Sequence, residues 1–211
     1  MRGNLARSVP GKPAMLATMI PGSLLAERFV LGEVAGTGGM STVYRAEDRQ
    51  TGEIVALKIV NTGESKDSRR FVQEARVLAD LSHPGIVRYV AHGISPTGQC
   101  YLAMEWLEGE SLGEHLRRRR PSVPEMVTLV RIVAEALASA HARGVIHRDL
   151  KPSNIFLMGD DTGGDTARPK ILDFGIARMN NMTRAATRTG MMLGTPGYMS
   201  PEQARGDRNI D

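Results

Sequence analysis

The apolar pattern of this chain changes character once, and that change limits the folds open to it. In roughly the first half, apolar residues come in short runs broken by glycine and turn signals. Residues 29–31, 41–45 and 54–60 read as three strands of a meander, with the Thr51-Gly52 step turning the last two. One helix interrupts the strands: over 65–81, Phe71, Ala75, Leu78 and Ala79 follow an i, i+4, i+7, i+8 stripe. His83-Pro84-Gly85 ends it, and two further strands fall near 86–91 and 99–105. Beyond that point the period is helical. Residues 111–120 form a short basic helix, and 122–144 is the longest helical signal. Ser122 and Glu125 are spaced as a capping box. Met126, Val127, Leu129, Val130, Val133, Leu137 and Ala140 give that helix a wide apolar face, and Gly144 stands at its C-terminal cap. Brief strands at 154–158 and 170–172 flank a polar, glycine-rich loop. Strands gathered in one half and helices in the other predict an α+β fold with segregated halves.

Composition narrows the function classes. At 211 residues the chain predicts one domain or a two-lobed one. A net charge of +4, with dispersed basic residues, names no polyanion partner. Arg117 to Arg120 form a charge run without interleaved aromatics, so a solvated helix face fits them better than base stacking on nucleic acid. The one cysteine, Cys100, excludes an internal disulfide framework and a multi-cysteine zinc site. No apolar run approaches the roughly 18–20 residues of a membrane span. Residues 1–20 lack the apolar core of a cleavable signal peptide. Residues 1–27 are expected to be a flexible tail; a cytoplasmic location is expected for the domain that follows, with a membrane anchor elsewhere in a full-length protein left open.

Three segments carry chemistry. In Gly36-Thr37-Gly38-Gly39-Met40-Ser41-Thr42-Val43, glycines let backbone N–H groups approach a phosphate. By itself the segment also fits a tight hairpin. A dinucleotide fold would need a helix straight after the glycines, whereas the β-rich Thr42-Val43-Tyr44 follows. Val55-Ala56-Leu57-Lys58 sets a lysine in an apolar strand, where an ammonium needs an anionic partner. Glu74, on the next helix, is the candidate; a purely structural ion pair is the plainer alternative. His147-Arg148-Asp149-Leu150-Lys151-Pro152-Ser153-Asn154 then packs an acid, two cations and an amide into one loop, and Asp173-Phe174-Gly175 follows a short strand. Asp149 can accept a proton from a hydroxyl. Asn154 and Asp173 offer hard oxygen ligands for a divalent cation.

In this order, closed by Ser200-Pro201-Glu202, the segments resemble those of a eukaryotic-type (Hanks-type) protein kinase, in particular the bacterial serine/threonine kinases. The resemblance covers 28–211, with 28–107 as the small lobe and hinge and 108–211 as part of the large lobe. It implies a two-lobed fold: a small antiparallel β-sheet lobe with one helix, and a mostly helical large lobe whose C-terminal part is missing. It implies transfer of the γ-phosphate of Mg·ATP to Ser or Thr hydroxyls of proteins, with Mn²⁺ as an alternative metal. Lys58 would bind the ATP phosphates and pair with Glu74. Asp149 would orient and deprotonate the substrate hydroxyl, Lys151 would steady the γ-phosphate, and Asn154 and Asp173 would hold Mg²⁺. Thr195 would brace Asp149 and Lys151. Gly36 and Gly38 would cover the phosphates. Val34, Val43, Ala56, Met104 and Phe156 would line the adenine site, with backbone contacts from Glu105 and Leu107.

The resemblance also implies activation by autophosphorylation, through a transient dimer, at Thr187 and Thr189, with Arg148, Arg178 and Arg70 receiving the phosphates. Ser41 replaces the third loop glycine and Ser200 the first alanine of the closing motif, both mild departures. The chain stops before the helices such a domain continues with, so a fragment is expected, and a catalytically impaired nucleotide-binding or interaction module is the alternative function. A small-molecule kinase of related fold is a third reading; Lys151 and the 194–198 stretch argue against it.

Overall fold

A computed structural model of the chain describes residues 20–38, 41–60, 65–159, 168–174, 196–205 and 207. Alternation of buried and open positions sets the strands. In β3 (Ser41–Asp48), Thr42, Tyr44, Ala46 and Asp48 turn inward. In β4 (Ile54–Val60), Val55, Leu57 and Ile59 do the same. With β1 (Leu24–Leu25), β2 (Phe29–Thr37), β5 (Tyr89–Ile94) and β6 (Cys100–Glu105) they form one antiparallel sheet, in the order β1-β2-β3-β4-β6-β5. β1 belongs to the segment read from sequence as tail. Two leucines are too few to show a period, yet Leu25 is buried against the sheet opposite Phe29.

The first five residues of β6 are buried, which accounts for its unbroken apolar run Cys100-Tyr101-Leu102-Ala103-Met104. Tyr101 and Ala103 join Phe29, Leu31, Tyr44, Leu57 and Ile59 in one core. Cys100, Leu102 and Met104 join a second core with Phe71, Ala75 and Leu78 of α1 (Ser65–Ala79). The same second core continues into the helical half through Val133, Ala136 and Ala140, so one apolar body links the two halves.

That half begins with β7 (Gly109–Ser111), α2 (Leu112–Arg118) and α3 (Val123–His141). Both helices start with a complete capping box, Ser111 with Glu114 and Ser122 with Glu125. α3 ends at His141, and the Gly144 N–H donates to its carbonyl at 2.8 Å from a left-handed φ of 71°. The apolar face read for α3 is divided. Val133, Ala136 and Ala140 are buried, whereas Val127 and Val130 are 62% and 55% exposed among the described residues. Replacing Ser122 by Ala removes the acceptor for the Glu125 N–H; a loss of about 1 kcal/mol is expected, read as a fall of roughly 2–4 °C in Tm.

A second sheet, β7-β8-β9, uses β8 (Ile155–Met158) and β9 (Arg168–Ile171). The segment before β5 clips onto it. Ile86 pairs with Ile171 in a parallel bridge, the Val87 N–H donates to the Ile171 carbonyl (3.0 Å), and the Ile171 N–H donates to that of Gly85 (2.8 Å). This explains why residues 86–88, expected in a strand of the first sheet, stand outside β5. A 3-10 turn at Pro196–Tyr198 and α4 (Pro201–Arg205) complete the described elements.

Candidate functional site

Lys58 lies in the middle of β4, paired with Val43 on β3 and Leu102 on β6. Ala56, two residues earlier, shares its face and stands opposite Met104. This is the face of β4 left over when Val55, Leu57 and Ile59 turn into the first core. The Lys58 ammonium meets the Asp173 carboxylate at 2.7 Å, with the two side chains 16% and 35% exposed. Glu74, read from sequence as the partner of Lys58, is half-buried on α1, while Lys58 forms an ion pair with Asp173. Gly36 pairs with Val43 across the β2–β3 hairpin. A Cβ built on Gly36 would meet no atom of the described residues within 4 Å, so those residues do not themselves demand glycine there.

The loop after α3 is organised by His147, which is 2% exposed. Its Nδ1 accepts from the Asp149 N–H at 3.2 Å, so its Nε2 carries the proton and donates to the Leu172 carbonyl at 2.7 Å. Phe174 packs on the same ring at 4.8 Å. One imidazole therefore ties the Asp149 loop to the Asp173 segment.

Asn154 adds a second tie. Its Nδ2 donates to the Asp149 carbonyl (2.8 Å) and approaches Asp149 Oδ2 (3.3 Å). Its own carbonyl accepts from the Leu172 N–H at 2.9 Å. Because β8 runs antiparallel to β9, Asn154 at the start of one and Asp173 just past the end of the other fall at the same end of the ribbon. Lys151 Nζ lies 3.3 Å from Asp149 Oδ2. Arg148 and Asp173 adopt left-handed φ values of 60° and 54°, a conformation uncommon for residues other than glycine and concentrated at functional positions. The Arg148 carbonyl is held by Gln203 Nε2 of α4 at 2.8 Å.

The residues read as an adenine site surround this face unevenly. Met104 is buried, Val43, Ala56, Leu107 and Phe156 are half-buried, and Val34 is 42% exposed. Glu105, where the chain leaves β6, is fixed twice. Its N–H donates to the Arg88 carbonyl (2.9 Å), while its Oε1 accepts from the Arg88 N–H (2.8 Å) and from Lys170 Nζ. Sequence reasoning missed Lys170 and Gln203 as supports; a lysine just before an apolar strand end was the available signal for the first. Gly38 is described, pairing its N–H with the Ser41 carbonyl at 2.8 Å. Thr195, Thr187, Thr189, Gly175 and Arg178 lie outside the described residues, as does the side chain of Arg70.

Comparison with known proteins now fixes the class. The protein kinase domain profile matches residues 29–210, and the chain belongs to the protein kinase family. It is similar to the DNA damage-responsive serine/threonine-protein kinase RqkA of Deinococcus radiodurans, with 40% identity over 89% of this chain and 28% of that one. It is also similar to the serine/threonine-protein kinase pkn3 of Myxococcus xanthus, with 38% identity over 89% of this chain and 35% of that one. The chain thus spans about a third of the length of these relatives. Among solved structures, the Mycobacterium tuberculosis PknI kinase domain matches with a TM-score of 0.64 and 30% identity, covering 75% of this chain and 63% of that one. Rad53 1-466 in complex with AMP-PNP matches with a TM-score of 0.67 and 30% identity, covering 85% and 43%. Among the described residues no helix is long and apolar enough to cross a membrane.

Proposed function

We propose that this chain transfers the γ-phosphoryl group of Mg·ATP to Ser and Thr hydroxyls of proteins. The observation that carries this reading is the convergence of Asp149, Lys151, Asn154 and Asp173 at one end of the β8–β9 ribbon, with Lys58 reaching Asp173 from β4. The residues fit a nucleotide and a cation. Gly36 has room that a phosphate can use. Asn154 Nδ2 is engaged by Asp149, so its Oδ1 would be the atom offered to a divalent cation, with the Asp173 carboxylate as the other protein ligand. Mn²⁺ suits the same oxygen ligands. ATP supplies the phosphoryl group, and the divalent cation spreads the negative charge of its phosphates.

The chain's own residues do the rest. Val34, Val43, Ala56, Met104, Leu107 and Phe156 offer apolar faces to a purine, and the backbone of Glu105 and Leu107 its edge-on contacts. Lys58 holds phosphate oxygens, and Glu74 is assigned as a further anionic partner for it. Asp149 orients the substrate hydroxyl and takes its proton as the oxygen attacks phosphorus and ADP leaves. Lys151 places a positive charge where negative charge gathers in the transferred group. Thr195 is assigned to brace that pair.

The test is incubation with γ-labelled ATP and Mg²⁺, with the chain itself and a generic basic protein as acceptors, followed by phosphoamino-acid analysis. Label on Ser and Thr is expected. Label on Tyr alone overturns the selectivity. Nucleotide binding with no transfer overturns the enzyme reading in favour of a nucleotide-binding module. Autophosphorylation is assigned to Thr187 and Thr189. The double variant Thr187→Ala, Thr189→Ala is expected to lose most transfer activity while its nucleotide affinity stays within about twofold of wild type, because the added charge orders a loop rather than touching the nucleotide. Parallel activity and binding titrations check this.

A further inference from the structure

Among the described residues α2, α3 and α4 each begin with a capping box, and the third differs from the other two. Three places after Ser111 and Ser122 stand glutamates, Glu114 and Glu125. Three places after Ser200 stands Gln203. The Ser200 N–H donates to Gln203 Oε1 at 3.1 Å, and the Gln203 N–H lies 3.4 Å from Ser200 Oγ. A glutamate would serve this box equally well. What only the glutamine has is a donor left over. Gln203 Nε2 gives it to the Arg148 carbonyl at 2.8 Å. The two partners also fix which way the amide faces, since a backbone N–H and a backbone carbonyl demand opposite ends of it.

That carbonyl belongs to the peptide unit joining Arg148 to Asp149. The other end of the unit, the Asp149 N–H, is bound to His147, to its carbonyl at 2.8 Å and its Nδ1 at 3.2 Å. The peptide plane before Asp149 is therefore gripped at both ends. The backbone there needs such support. Arg148 has a left-handed φ of 60°, which a residue with a side chain keeps only where its neighbours over-determine it. Rotation of this plane changes ψ of Arg148 and φ of Asp149 together. It would re-aim the carboxylate, whose Oδ2 stands 3.3 Å from both Lys151 Nζ and Asn154 Nδ2.

We propose that Gln203 is a positioning residue for phosphoryl transfer: its side-chain amide pins the Arg148–Asp149 peptide and so keeps the Asp149 carboxylate aimed at the acceptor hydroxyl. The aim at a hydroxyl rests on the function proposed above; the pin itself does not.

Two variants test it. Gln203→Glu keeps the capping box and removes the donor. Gln203→Met removes the amide without adding a charge. Amide hydrogen exchange at Asp149, followed by NMR, is expected to quicken at least about threefold in both, as for loss of one hydrogen bond. Unchanged exchange in both overturns the proposal. Faster exchange in Gln203→Glu alone assigns the effect to the new charge and overturns it as well. For transfer from ATP, kcat is expected to fall about ten- to a hundredfold in both, the cost of a misplaced reacting group. KM for ATP is expected to stay within about twofold, as is nucleotide affinity followed by the fluorescence of Trp106, the only tryptophan, which lies between Glu105 and Leu107. The Tm of Gln203→Glu is expected to stay within about 2 °C of wild type, because its cap is kept. A joint loss of kcat, nucleotide affinity and Tm identifies a merely structural residue and overturns the proposal. Faster exchange with an unchanged kcat overturns the positioning role. If wild type transfers no phosphate, the function proposed above fails, and the exchange measurement still decides the pin.

Discussion

Asp149→Asn is expected to lower phosphoryl transfer by about 10²–10⁴-fold, the range for removing a positioned general base. The substitution preserves size and backbone. Asn154 Nδ2 still has the residue 149 carbonyl to donate to, and the residue 149 N–H still has His147 to bind. What disappears is a carboxylate able to take a proton and the charge that faces Lys151 Nζ at 3.3 Å. Nucleotide affinity, followed through Trp106, is expected to stay within about threefold, because Lys58, Asp173 and the apolar lining are untouched. That split between affinity and rate is the informative result. A parallel loss of affinity would mean that Asp149 holds the nucleotide rather than the acceptor hydroxyl. Transfer at the wild-type rate would remove Asp149 from the chemistry.

The legible part of this site is the part written in short contiguous stretches. His147, Asp149, Lys151 and Asn154 lie within eight residues, and Asp173 follows directly on a strand, so residue type and order suffice to find them. The strands and helices of the core were legible for the same reason: α1 shows its stripe through Phe71, Ala75 and Leu78, and both are local patterns. What stayed hidden joins distant residues. Lys170 and Glu105 are 65 residues apart, and Gln203 and Arg148 are 55 apart. Nothing in either local sequence points to the other. The bridge from Ile86 to Ile171 is of the same kind, and it displaced the expected start of β5. α3 shows a different limit. Val127 and Val130 are as apolar as Val133, so periodicity assigns all of them to one face, and only packing against the rest of the core selects Val133, Ala136 and Ala140.

The largest stability effect is expected at Asp48, the last residue of β3, whose side chain is fully buried. Its two oxygens receive a fork from Arg28, Nε to Oδ1 at 2.8 Å and Nη2 to Oδ2 at 2.6 Å, and Oδ1 also accepts from the Gln50 N–H at 3.0 Å. Its backbone closes the β3–β4 turn, with the carbonyl accepting from the Gly52 N–H at 2.7 Å. One carboxylate thus fastens the residue before β2 to the turn leaving β3, and Arg28 lies over the Phe29 ring at 4.9 Å as part of the same joint. Asp48→Ala strands the guanidinium and the Gln50 N–H together. Removing one partner of a buried pair costs about 3–5 kcal/mol; because Arg28 is 23% exposed and can recover water, about 2–4 kcal/mol is expected here, or a fall of roughly 10 °C in Tm. The hydrogen bonds from Arg28 hold the Asp48 carboxyl below its ordinary range despite burial. A group whose folded value is depressed stabilises the fold above its unfolded value, near pH 3.9, and loses that contribution as pH falls through the depressed one. Wild type is therefore expected to keep this contribution through neutral pH and lose it only below about pH 4. Asp48→Asn, which keeps the shape and removes the titration, should unfold more readily at pH 7, with the gap to wild type closing as the solution is acidified. Denaturant titrations of the three proteins at pH 7 and pH 3 check both statements. A variant within about 0.5 kcal/mol of wild type at pH 7 would place the joint elsewhere, in the backbone ladder alone.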